Sequence, residues 1–484
     1  MHEAEGKIPR DLWPFEPPPE EMRRMVDAAM ERIVAYIEAL PAAPAHRLEG
    51  AEELARSLRE PLPEQGAALP ELLDVVFDRA TACGYTTPGP GYLAYIPGGG
   101  LFHSALARLI ADVVNRYVGI WIAAPGLVQL ETNVLRWFAD IVGYPESALG
   151  ILTSGGSLAN FSAIVTARHE RLPEDFLQGT LYVSDQTHHS VLKAALLAGF
   201  PGARVRVVGS DSAFRMRPDA LAEAVREDRR DGLQPFLVVA SGGTTNTGAV
   251  DDLDAIADLA RDEGLWLHAD AAYGGFFAMT ERGRAVLRGI ERADSVTLDP
   301  HKGLFLPYGT GSLLVRDGSA LGRAHAVGAA YLPAMQEEPE FVDFCQLSPE
   351  LSRPFRGLGV WLPFRLLGAQ AFREALDEKL DLARLAAAAL HTMDGIEVVA
   401  DPQLSVVAFR VSRPGMDAAA RNAASRRLLD AVNRRERVFL TATTVDGQFL
   451  IRICVLSFRT HADRIEACLE DIQSGLAEVL ALPD

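Results

Sequence analysis

The sequence predicts an α/β fold: a mostly parallel central sheet, followed by a smaller C-terminal α/β unit. Two observations carry that expectation. From about residue 89 to 367, short β-rich runs alternate with helical patterns, the order that lays helices on both faces of a parallel sheet. The composition, 48% apolar and 23% charged over 484 residues, is that of a globular chain with room for roughly three domain-sized units.

Taken in order, residues 1–88 read as an arm followed by helix. Pro14 and Pro17-Pro18-Pro19 keep the lead-in extended, and Met22, Met25, Val26, Met30, Ile33, Val34 and Ile37 recur at helical spacing over 20–40. This segment has no core of its own, so it is expected to pack on the main body or on a second subunit. Residues 89–367 hold candidate strands at 179–184, 204–208, 236–241, 265–270, 296–299 and 311–315, and 252–263 sets Leu253, Ile256, Ala257 and Ala260 on one helical face. Over 368–484 a long Ala/Leu helix leads into a last unit with strands near 406–411 and 449–455. The Arg-rich stretch 421–437 reads as a solvated helix face.

Charge and cysteine content narrow the function. Against 47 basic residues stand 65 acidic ones, a net charge of −18, which argues against nucleic acid or an anionic membrane as the main partner because both require a basic face. No apolar run approaches the roughly 20 residues of a membrane span. The acidic start Met1-His2-Glu3-Ala4-Glu5 has no apolar segment behind it, unlike a secretory signal. Cys83, Cys345, Cys454 and Cys468 are scattered without a C-x-x-C pair, so no disulfide framework and no metal site are expected, and a reducing cytoplasm is the expected setting. Of the 47 basic residues only Lys7, Lys193, Lys302 and Lys379 are lysine. A lysine kept in a Gly- and His-rich, otherwise apolar stretch therefore invites a chemical reason, because arginine stays protonated and cannot serve as an amine nucleophile.

Four motifs fall just past a predicted strand or at a helix start, the edge where open α/β sheets bind ligands. In Thr153-Ser154-Gly155-Gly156-Ser157-Leu158-Ala159-Asn160, glycines allow close backbone approach and Ser157 can cap; the run serves equally as an ordinary N-cap or as a phosphate site. In Ser184-Asp185-Gln186-Thr187-His188-His189-Ser190, His188 can stack on a ring or move a proton, while His189 is an ordinary loop histidine. In His268-Ala269-Asp270-Ala271-Ala272-Tyr273-Gly274, Asp270 ends an apolar strand, where a carboxylate needs a positive partner unless it caps a helix. In Leu298-Asp299-Pro300-His301-Lys302-Gly303, the scarce lysine lies at the next strand's end, on the same sheet edge as Asp270. A lysine amine for a Schiff base, an aspartate for a protonated pyridine nitrogen and a phosphate cradle are the protein parts that pyridoxal phosphate needs.

At this point the sequence resembles the group II pyridoxal-phosphate decarboxylases, the family of aromatic-L-amino-acid, histidine and glutamate decarboxylases. The resemblance runs from about residue 89 to 367 and rests on the ordered 184–188, 268–274 and 300–302 runs. Tyr95-Ile96-Pro97, the 125–131 segment and the 353–361 segment are also similar. It implies a fold type I enzyme of the aspartate-aminotransferase type, acting as a homodimer with the active site at the subunit interface. Lys302 would form the Schiff base, Asp270 would pair with the pyridine nitrogen, and His188 would stack over the ring and help hold the substrate carboxylate. Gly156, Ser157 and His301 look like phosphate contacts, and Thr245 matches a threonine facing the cofactor. Tyr95, Ile96, Trp121 and Phe344 fall in stretches that line the family's substrate pocket. With Tyr92 and Ile120 they are apolar or aromatic, which favours an aromatic or large apolar amino acid over glutamate. The implied reaction is decarboxylation to the amine and CO2.

Departures from the family pattern leave a second outcome open. Phe344 aligns with the loop tyrosine that protonates the substrate carbon in aromatic decarboxylases, and a phenyl ring has no proton to give. Oxygen could then intercept the reaction and yield an aldehyde, unless Tyr331 or a histidine supplies the proton. Gly303 stands where tryptophan is usual, and Asp299 where asparagine is frequent. A metal-dependent hydrolase using His188, His189, His268, Asp270 and His301 is the rival from another class, but the spacings match no standard ligand set.

Overall fold

The computed structural model describes residues 15–328, 338 and 340–481; Tyr331 lies outside the described residues. A seven-stranded sheet forms the centre: β1 (Leu149–Thr153), β2 (Gly179–Ser184), β3 (Val205–Val208), β4 (Gln234–Ser241), β5 (Trp266–Asp270), β6 (Ser295–Leu298) and β7 (Gly311–Val315). Their spatial order is β1-β7-β6-β5-β4-β2-β3. All pairs from β6 to β3 are parallel, and β7 runs antiparallel to both of its neighbours. Every residue of β2 and β5 is buried, as expected of strands covered on both faces. This is the mostly parallel α/β sheet that the alternation predicts. β1 is an edge strand that the sequence pattern did not reveal.

The helices that matter for the site and its frame are α1 (Pro19–Ala39), α2 (Phe102–Val114), α3 (Pro125–Val142), α4 (Gly156–Arg171), α5 (His189–Leu197), α6 (Gly357–His391), α7 (Ala418–Asn433) and α8 (Ala462–Ala481). α4 and α5 each begin directly beyond the carboxyl end of a strand, which delivers their N-termini to one edge of the sheet. α6 breaks at Gly368, whose φ of 77° and ψ of 155° are open to glycine alone.

Beyond that break a second sheet forms from β8 (Ile396–Ala400), β9 (Val406–Val411), β10 (Thr441–Val445) and β11 (Gln448–Cys454), all antiparallel in the order β8-β9-β11-β10. It has its own core, in which Leu382, Leu390, Phe409, Leu428, Ile451 and Ile472 are buried together. The Arg-rich stretch is amphipathic rather than simply solvated: Arg426 and Arg427 are exposed, while Leu428 and Val432 pack inward. The helix ends at Asn433, and Arg437 beyond it binds Asp471 of α8. α1 buries none of its side chains fully, leaving Met22, Met25, Val26 and Val34 exposed. Among the described residues no helix is long and apolar enough to cross a membrane.

Candidate active site

One cavity of about 330 Å³ opens at the carboxyl edge of the central sheet, where β1, β2, β4, β5 and β6 end. Gly156, Ser157, His188, Thr245, Asp270, His301 and Lys302, far apart in sequence, all line it. Parallel strands ending together place such residues within reach of one ligand.

The turn from Thr153 to Gly156 starts α4 with no side chain capping it, so N–H groups of the first turn are left for a ligand. Space at Gly156 is tight. A Cβ on Gly156 would stand 3.0 Å from Asp299 Oδ2 and 3.2 Å from the Ala272 Cβ. Two buried atoms on the same wall, Asp299 Oδ1 and His301 Nδ1, have no hydrogen-bond partner among the described residues. Burial holds the His301 imidazole below its ordinary pKa, against the charge of Asp299.

Lys302 lies on the short helix Pro300–Gly303 that follows β6. Its Nζ is 2.9 Å from Asp299 Oδ2. Burial alone would lower the amine pKa, but the charge and hydrogen bond of Asp299, helped by Asp270, outweigh it and hold the amine above its ordinary value. Asp270 closes β5 and accepts from Asn160 Nδ2 at 2.9 Å and from the Ala272 N–H at 3.2 Å. His188 is the N-cap of α5; its Nδ1 accepts from the Ser190 N–H at 3.3 Å and lies 2.7 Å from Ser190 Oγ. With Nδ1 accepting, the ring proton sits on Nε2. Burial lowers the His188 pKa, so the imidazole is neutral at pH 7.

These residues fit pyridoxal phosphate: an uncapped helix start and the free Nδ1 of His301 suit its phosphate, Asp270 its ring nitrogen and Lys302 its aldehyde. Sequence reasoning did not single out Asn160, Ser190 and Tyr273 as site residues and noted Asp299 only as a departure from the family pattern, though all four line the cavity. Each lies inside or beside a quoted motif, and their roles depend on bonds between distant elements.

Four pocket residues expected from the sequence are not part of this cavity. Tyr95 is half exposed at φ 52°, its N–H bonded to Thr441 Oγ1 and its carbonyl to Arg452. Ile96 is buried in the large core. Trp121 stacks on Phe341 with centroids 4.2 Å apart. Phe344 is buried in the single chain, with the Arg353 guanidinium 4.9 Å from its ring centroid. The segment folds inward because the Cys345 N–H bonds to the Gly119 carbonyl and Asp343 accepts from the Trp121 N–H.

Comparison with known proteins agrees with this geometry. The pyridoxal-dependent decarboxylase conserved domain matches residues 52–412. The chain is 35% identical over 466 residues to aromatic-L-amino-acid decarboxylase of Bacillus atrophaeus, covering 95% of this chain and 96% of the relative. It is 30% identical to tryptophan decarboxylase 2 of Oryza sativa subsp. japonica over 87% of this chain and 88% of the relative. Oryza sativa TDC with PLP and tryptamine superposes with a TM-score of 0.91 at 26% identity, over 96% of this chain and 99% of that one. Catharanthus roseus tryptophan decarboxylase in complex with L-tryptophan gives 0.89 at 25% identity, over 96% and 100%. The chain thus belongs to the pyridoxal-dependent decarboxylase family and is a pyridoxal-phosphate-dependent amino-acid decarboxylase.

Proposed function

We propose that the protein converts an aromatic L-amino acid to its amine, releasing one CO2 and taking up one proton at the α-carbon. The observation that carries this reading is the meeting of Lys302, Asp270 and His188 at one cavity beside an uncapped helix start. The aromatic preference is supported by the lining: among the described residues around the cavity there is no arginine to pair with a second carboxylate. The relatives named for tryptophan and for aromatic amino acids point the same way.

In this reading Lys302 Nζ would hold the cofactor through its aldehyde. Asp270 would pair with the ring nitrogen, and Gly156, Ser157 and His301 would hold the phosphate. When bound, the cofactor supplies an electron sink for the pair left behind as the carboxylate departs. His188 would help to hold the substrate carboxylate. Thr245 also lines the cavity. With Phe344 buried and lacking a hydroxyl, Lys302 Nζ and His188 are the groups among the described residues that could carry a proton to the α-carbon, beside Tyr331, which lies outside them.

The working unit in this reading is a homodimer. The exposed apolar side chains of α1 lie beside a groove of about 550 Å³ whose wall includes Met25, Val26, Phe102, Leu106 and Leu109. A second copy would cover it. Residues 1–88 would then be a dimerisation arm, 89–367 the cofactor-binding domain and 368–484 the small domain, divided at the Gly368 break. Measuring kcat/KM for tryptophan, tyrosine, phenylalanine, histidine and glutamate tests the substrate class. A clear preference for the first three is expected, and preference for glutamate would overturn it. Sedimentation of the holoenzyme tests the dimer.

A further inference from the structure

Asn160 lies on the first turns of α4, 1% exposed, and every polar atom of its side chain is bonded. Its Oδ1 accepts from Thr297 Oγ1 at 2.8 Å and faces His268 Nε2 at 3.0 Å. Its Nδ2 donates to Asp270 Oδ2 at 2.9 Å and to Ser190 Oγ at 3.2 Å. A flipped amide would set its oxygen against the Asp270 carboxylate, so the orientation is fixed by charge.

The bonds behind it run in one direction. Trp266 Nε1–H donates to Ser295 Oγ at 2.8 Å, which turns the serine proton toward His268 Nδ1, also 2.8 Å away. With Nδ1 accepting, His268 carries its proton on Nε2 and donates it to Asn160. Burial brings the His268 pKa down to about 4, so the neutral ring required by this arrangement persists at working pH. Aligned donors polarise one another, so the last N–H, aimed at Asp270, is strengthened. The second N–H of Asn160 sets Ser190, whose hydroxyl proton in turn holds His188 Nδ1 as an acceptor.

We propose that Asn160 is a positioning residue that fixes two groups of the site at once. It holds Asp270 as an oriented acceptor at the end of the Trp266–Ser295–His268 relay, and through Ser190 it holds His188 in the Nε2–H tautomer. The proposal rests on the roles read above for Asp270 and His188.

Titration of apoenzyme with pyridoxal phosphate, read by absorbance across pH, tests it. Asn160→Leu keeps the volume and removes both donors. Its cofactor Kd should rise at least about tenfold, the loss of a hydrogen bond to a charged group. The pH transition of the bound chromophore should move, while far-UV circular dichroism stays unchanged. A parental Kd and transition in that variant would overturn the proposal. Asp270→Asn separates the two layers. If it too leaves Kd and spectrum unchanged, the underlying reading of Asp270 fails. If it weakens binding while Asn160→Leu does not, the relay alone fails. Should Asn160→Leu not fold, His268 decides. His268→Gln keeps an N–H toward Asn160 and should bind within about threefold of the parent, whereas His268→Leu should lose about tenfold, again one hydrogen bond's worth. Equal affinities for the two would overturn the proposal.

Discussion

Lys302 Nζ and Asp299 Oδ2 stand 2.9 Å apart, one helical turn from each other at the carboxyl end of β6. The pair raises the amine pKa that burial would otherwise lower. Asp299→Asn leaves burial unopposed by its nearest charge, so the amine pKa should fall. The acid limb of the pH profile for cofactor uptake by apoenzyme should then shift to lower pH. An unmoved limb would show that Asp299 does not set the amine's proton affinity.

Replacing Lys302 tests the covalent step directly. Lys302→Arg keeps the charge but offers no nucleophile, and Lys302→Ala removes both. Borohydride reduction of either variant should leave no cofactor bound to the chain, and turnover should disappear. A reduced adduct on another residue would displace Lys302 from its role.

The buried His268 gives an acid-stability signature. Its folded pKa of about 4 lies below the ordinary 6.5, so the fold favours the neutral ring. Its contribution is full above 6.5 and is lost progressively as pH falls to about 4, because the unfolded chain gains a proton that the native one refuses. Urea unfolding across this window should show that dependence, and His268→Gln should lack about one proton of it, the single site removed.

Glu131 on α3 and Arg353 form an ion pair with both side chains almost wholly buried, and Arg353 also donates to the Leu152 carbonyl just ahead of the Thr153–Gly156 turn. Glu131→Gln strands a buried guanidinium, which should cost roughly 3–5 kcal/mol in chemical denaturation. Because the same guanidinium braces the turn before α4, cofactor affinity should fall with it. A stability loss near zero would show that solvent reaches the pair.

The parts of this protein that the sequence disclosed are those with dense local signals. β2 and β7 were legible residue for residue as short runs with apolar centres, and both are fully buried strands. β1, β8 and β10 were missed, and all three are edge strands: β8 is only half buried throughout, and β10 is largely threonine. In the site, Lys302 stood out through lysine scarcity and Asp270 through its place after an apolar strand. Asn160 carried no such mark, because its meaning lies in bonds to residues 30 to 137 positions away. Phe344, read from alignment as a pocket residue, is buried in the single chain under the Arg353 guanidinium.

One measurement tests the central claim most directly. Holoenzyme is incubated in air with tryptophan, tyrosine and phenylalanine, and amine, aldehyde, CO2 and hydrogen peroxide are quantified together. The account predicts amine and CO2 in equal amounts from an aromatic substrate, without peroxide. Aldehyde with ammonia and peroxide as the main products would contradict it, and so would no product from any aromatic amino acid.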